Sequence, residues 1–129
     1  MASSDAEANR CLDLVVDDGG SWWVGLSTTV PSLAGSVLSG VTDSGLALVE
    51  LPRDGAATWD AAVARRVMPS DPVTFAASAS AFVAVARVFW DGPDADTATP
   101  VRSARIASVT ASVGAVVSLP PATLALDHD

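Results

Sequence analysis

Phe82-Val83-Ala84-Val85-Ala86-Arg87-Val88-Phe89-Trp90 decides the fold class. Successive side chains of an extended chain point to opposite faces, so the run divides into two sets. One face takes Phe82, Ala84, Ala86, Val88 and Trp90; the other takes Val83, Val85, Arg87 and Phe89. Both sets are largely apolar, as on a central strand covered on both sides. The stretch predicts the middle of a sheet, and the flanking sequence has to supply its neighbours.

Downstream, Asp91 to Pro100 is an acidic loop with a glycine and two prolines. Arg102 to Val109 and Ala111 to Ser118 predict two further strands. Leu119-Pro120-Pro121 interrupts regular pairing, since proline has no amide hydrogen. Thr123 to Leu126 predicts a short last strand. Upstream, Pro72 to Ala76 reads as a strand entered through a proline. Thr58 to Met68 places Trp59, Val63 and Val67 at helix-compatible spacing, with strand or loop left open. Pro52-Arg53-Asp54-Gly55 is a turn. Gly45 to Leu51 alternates as a strand does. Pro31 to Ser44 is rich in glycine and serine and predicts a long loop, and Trp22 to Ser27 predicts a strand.

The first residues follow another period. Ser4-Asp5-Ala6-Glu7 is a capping box, with a hydroxyl at the cap and a carboxylate three residues on. Ala8, Cys11, Leu12 and Val15 then recur at helical spacing, which puts Cys11 on the apolar side as a small buried hydrophobe. Asp17-Asp18-Gly19-Gly20 ends the segment with turn formers. The expectation is a mainly β protein: an antiparallel β-sandwich with one short N-terminal helix. It is expected as a single domain over residues 1–129, with the helix at about 5–16 and the strands between about 22 and 126.

Composition excludes several functions. Half of the residues are hydrophobic, which argues against intrinsic disorder, yet only 5% are aromatic and tyrosine is absent. A net charge of −8 repels phosphate backbones, so no nucleic-acid partner is expected. All seven basic residues are arginine. The apolar run from Ala76 to Val88 is too short and too mixed to span a membrane. Met1-Ala2-Ser3-Ser4-Asp5 shows neither a basic region nor an apolar block, so synthesis in the cytoplasm is expected.

Motifs for chemistry are weak. Cys11 is the one cysteine, so it forms no internal disulfide, and the one histidine, His128, is near the end of the chain. No Ser-His-Asp set can be built from them. Asp91, Asp94 and Asp96 crowd one loop but lack the ordered ligand spacing of an EF-hand, so they read as a solvated tip. Asp17-Asp18-Gly19-Gly20 has the wrong charge to cradle a phosphate. The expectations are no catalytic residues, no metal and no cofactor. Contact residues are the remaining candidates. Trp22 and Trp23 are adjacent and must point to opposite faces, and tryptophan is enriched at interface anchors. Arg65-Arg66 is a basic pair in an acidic chain that could meet an acidic neighbour across a subunit contact.

Trp23-Val24-Gly25-Leu26-Ser27-Thr28-Thr29-Val30-Pro31 is a short apolar strand running into a hydroxyl-rich, proline-closed loop. It resembles the "GLSTT-x-P" segment of small tail-fibre-like proteins of bacteriophages. Gly40-Val41-Thr42-Asp43-Ser44-Gly45-Leu46-Ala47-Leu48-Val49 is similar to that family's next segment. Leu46 and Leu48 stand where it carries an aromatic and a basic residue. Trp59-Asp60-Ala61-Ala62, Val73-Thr74-Phe75, Val88-Phe89-Trp90-Asp91-Gly92, Gly114 and Ala122-Thr123-Leu124-Ala125-Leu126 match it more loosely. The resemblance implies a non-enzymatic virion structural protein of tail or fibre type, located in the virion. A capsid decoration protein that stabilises the shell is the alternative. Apolar residues in excess of one small core predict surface buried between subunits. The resemblance, and the decoration-protein alternative beside it, imply that the partners are the chain itself, as a homotrimer, and other virion proteins. A carbohydrate-binding module is a further alternative, with Trp22, Trp23, Trp59 or Trp90 as the stacking platform.

Overall fold

The computed structural model describes residues 4–30, 47–94 and 97–128. It is mainly β, with antiparallel pairing and one helix at the N-terminal end. The order is α1 (Asp5–Val15), β1 (Ser21–Ser27), β2 (Val49–Pro52), β3 (Arg66–Val67), β4 (Val73–Thr74), β5 (Phe82–Trp90), β6 (Pro100–Ala111), β7 (Ser118–Leu119) and β8 (Leu126–Asp127). Two short 3₁₀ turns, Gly55–Ala57 and Pro121–Leu124, separate some of them. The chain divides into two compact units. One comprises Met1–Ser21, Pro52–Val73 and Leu119–Asp129; the other comprises Trp22–Leu51 and Thr74–Ser118. The expected loop over 31–44 and the first residues of the Gly45 strand lie outside the described residues.

The second unit holds most of a four-stranded sheet ordered β2-β1-β5-β6. The run that decides the fold class is β5, paired on one side to β1 and on the other to β6. Its register to β1 runs from Trp23 opposite Trp90 to Ser27 opposite Ala86. Phe82, Ala84, Ala86, Val88 and Trp90 are all buried, as a covered face requires. On the other face Arg87 and Phe89 are buried while Val83 is 50% exposed, so that cover ends before the start of the strand. Arg87 is accommodated by an aromatic neighbour: its guanidinium carbon lies 4.4 Å from the centre of the Phe89 ring. Trp22 stacks on the same ring, with centroids 5.2 Å apart and planes 15° apart. Gly25 is glycine because of close packing. A methyl group there would come within 2.6 Å of Leu48 Cδ2 and 3.4 Å of Trp90 Nε1.

The two strands expected at Arg102–Val109 and Ala111–Ser118 are one long strand, β6, and a separate ladder. Residues 112–117 leave the sheet and bond the chain after β4: Phe75 N–H donates to Val117 O at 2.9 Å and Ser78 N–H to Ala115 O at 2.9 Å. Gly114, at φ +86°, supplies a conformation that other residues seldom adopt.

In the first unit Ser4 caps α1 as expected, its hydroxyl accepting the Glu7 amide at 3.2 Å. Gly19, at φ +87°, lets the chain turn after the helix, and Gly19 and Arg53 exchange backbone bonds through Gly20 at 2.8 Å. The buried stripe is Ala8, Leu12 and Val16, an i, i+4, i+8 row. Cys11 is exposed, against expectation, because it lies to one side of that row. Thr58 to Met68, left open by its spacing, contains no α-helix; it carries a tight hairpin that leads into β3. The expected strand at Thr123–Leu126 is the 3₁₀ turn Pro121–Leu124 followed by β8, which pairs with β3. Leu124, Ala125 and Leu126 are all buried, so these apolar residues are covered even where the backbone is not extended.

Candidate functional site

The hairpin at Val63–Arg66 is the most tightly specified part of the first unit. Val63 and Arg66 exchange backbone hydrogen bonds of 2.9 and 3.0 Å across two central residues. Ala64 and Arg65 carry φ of 52° and 65°. Positive φ at both central positions is the demand of a type I′ turn, which Asn-Gly meets most readily. Here the conformation is enforced from outside. Asn9 Oδ1 accepts the Arg65 amide at 2.8 Å, and Asp13 Oδ1 accepts the Ala62 amide at 2.8 Å. Arg65 Nε donates to His128 O at 3.0 Å, and Arg65 Nη1 meets Asp5 Oδ1 at 3.2 Å. His128 N–H in turn donates to Arg65 O at 2.9 Å, so His128 is held through its backbone. Asp5, Asn9 and Asp13 are four residues apart, and α1 thus presents a row of three acceptors beside its apolar row.

Arg65 and Arg66, the basic pair singled out as a contact candidate, are therefore engaged within the fold. Arg66 meets Asp127 at 2.7 Å, which holds its guanidinium pKa above the usual value through the hydrogen bond and the charge of that carboxylate. Trp22 is buried against Phe89, while Trp23 is half-buried beside Val88, Trp90 and Ala98. The two tryptophans are in one unit and the two arginines in the other.

A cleft of about 200 Å³ opens in the first unit, lined by Asp13, Val16, Asp17, Gly55, Ala56, Trp59, Asp60 and Ala61. Its carboxylates have local work. Asp13 receives the Ala62 amide, and Asp60 accepts the Ser70 hydroxyl at 2.9 Å. Trp59 turns its indole N–H to Pro52 O at 2.8 Å, and its side chain is buried. In the Asp91–Asp96 loop, Asp91 accepts the Thr99 amide and hydroxyl at 2.8 and 2.7 Å, which closes the loop on itself. Asp96 lies outside the described residues. Among the described residues no group of three or more His, Cys, Asp or Glu is arranged to hold a metal ion. Trp22, Trp59 and Trp90 are buried, so of the four indoles proposed for sugar stacking only Trp23 leaves ring surface partly open.

Strand β6 is what the sequence did not disclose. It is twelve residues long, yet from Val101 to Thr110 no residue is buried; only Pro100 and Ala111 are. It hangs on β5 by one edge, and among the described residues no strand pairs with its other edge. Its register to β5 shifts twice, between Ala84 and Ala86 and between Phe89 and Trp90. Such bulges twist an edge strand and turn its side chains outward. Val83 on the adjoining strand and Val113 and Val116 just beyond β6 are 50%, 68% and 65% exposed. An open edge with unburied β-branched side chains has the backbone groups and apolar surface to pair with another chain. No protein-family model matches this chain, and no curated protein matches it either.

Proposed function

We propose that the chain is a non-enzymatic bacteriophage virion structural protein, a tail- or fibre-type component that assembles through homo-oligomeric contacts. The observation that carries this reading is β6, whose ten central residues are all at least partly exposed beside exposed valines. Surface of that kind serves adhesion between protein chains, and symmetry multiplies each weak contact. The Trp23 to Pro31 segment, with its likeness to tail-fibre-like proteins, supplies the virion context. The chemistry available fits a structural role: Trp22, Trp59 and Trp90 buried, Arg53, Arg65 and Arg66 engaged by local carboxylates, and Asp91 holding its own turn.

The test is imaging of purified particles that carry a labelled copy of the chain. Label on the tail is the expected result. Label spread over the shell would favour capsid decoration instead, and particles without label would contradict a virion role. Titration with host-wall glycans while following tryptophan emission separates the carbohydrate-binding alternative, for which a saturable change is required.

A further inference from the structure

We infer that the open edge and faces of β6 dock against an acidic surface of a second copy of this chain, through Arg102 and Arg105, in a head-to-tail contact. This rests on the assembly reading above and names the face and the mode of contact.

Of the seven arginines, Arg10 is exposed on α1, and the other six divide by what they touch. Arg53, Arg65 and Arg66 form ion pairs with Asp18, Asp5 and Asp127. Arg87 is buried over the Phe89 ring. Arg102 and Arg105 lie on β6, and among the described residues their side chains make no hydrogen bond or ion pair. Arg102 is in register with Phe89 and Arg105 with Ala86, so they project from opposite faces of the sheet and flank its free edge. No carboxylate occurs between Pro100 and Ala111, so this strand carries two positive charges, one on each face, on a chain of net charge −8.

Charge then selects the occupant. A second copy is itself strongly acidic, so its surface complements these two charges. Two-fold pairing of β6 with β6 would gather four guanidiniums and no carboxylate, and like charges facing one another across strands are destabilising. The contact is therefore between unlike patches. Such a contact closes into a ring when its rotation allows and otherwise runs on as a filament. A ring of three is the smallest closed form of such a contact, and it matches the trimer that the family resemblance implies.

Arginines and bulges on an edge strand also have a protective use, since they discourage edge-to-edge aggregation. The two roles predict opposite signs. Removing guards strengthens association; removing anchors weakens it.

Sedimentation velocity of the full chain over a concentration series decides between them. The variants are R102Q/R105Q and R102E/R105E, with near-ultraviolet circular dichroism to show that the sheet stays intact. The expected result is association weakened about tenfold or more by the Gln pair and further by the Glu pair, with the wild type weakened by added salt. Association that is unchanged or stronger in both variants overturns the inference and leaves the assembly reading in place. A wild type that is monomeric throughout overturns both. As a second measurement independent of charge, a photo-crosslinking residue at exposed position Ala107 should join peptides outside residues 100–111 of the neighbour. Adducts between one β6 and another would overturn the head-to-tail mode.

Discussion

Arg65 is the residue on which three segments of the first unit converge. Its backbone is in the left-handed region, and its amide, carbonyl and guanidinium are each bonded to α1 or to His128. A left-handed residue with a Cβ costs about 1–2 kcal/mol, so the surrounding bonds must hold it there. Arg65→Ala keeps the backbone bonds and removes two side-chain ones. It should lower unfolding stability by about 1–3 kcal/mol, read as a reduced denaturant midpoint at unchanged slope. Ala64→Asn should act the other way, raising stability by roughly 0.5 kcal/mol, because asparagine tolerates positive φ better than alanine. A lower midpoint for that variant would mean that the turn is not strained. Neither effect is legible in the sequence. Ala-Arg carries no turn signature, and Arg65-Arg66 reads as a basic pair for a subunit contact. The acceptors that impose the turn are 49, 56 and 60 residues from the groups they bond, at Asp13, Asn9 and Asp5.

At the scale of elements, legibility followed period. α1 and β5 were readable because each has one dominant apolar repeat, at helical spacing for Ala8 and Leu12 and at spacing two for Phe82 to Trp90. Both boundaries came out close: Asp5–Val15 against an expected 5–16, and Phe82–Trp90 as expected. Leu12 is buried, so Leu12→Ala should cost about 2–5 kcal/mol. Cys11, one position away, is exposed and should react fully with a thiol reagent in the folded protein. Protection of Cys11 until denaturant is added would contradict the orientation of α1. β6 was misdivided for a physical reason. Arg, Ser, Ala and Thr alternate in it without an apolar face, and two bulges break the spacing that a period-two reading relies on. The short strands β3, β4, β7 and β8 have two residues each, too few for any period to register, and the expected strands near the last three were longer or displaced.

For the whole molecule, the mainly β antiparallel class was legible, as was the N-terminal helix. The places where the surface departs from self-sufficiency were not. Trp22, the more conspicuous candidate, is consumed inside the sheet, and Arg65 and Arg66 are consumed by α1 and by the segment around β8. What remains is the unburied strand β6. The proposed role of this chain is adhesion to copies of itself. Sedimentation equilibrium of the full chain at micromolar concentration tests that claim most directly. The account predicts a species with three times the 13.0 kDa chain mass. A single species at the mass of one chain, unchanged as concentration rises, would contradict it.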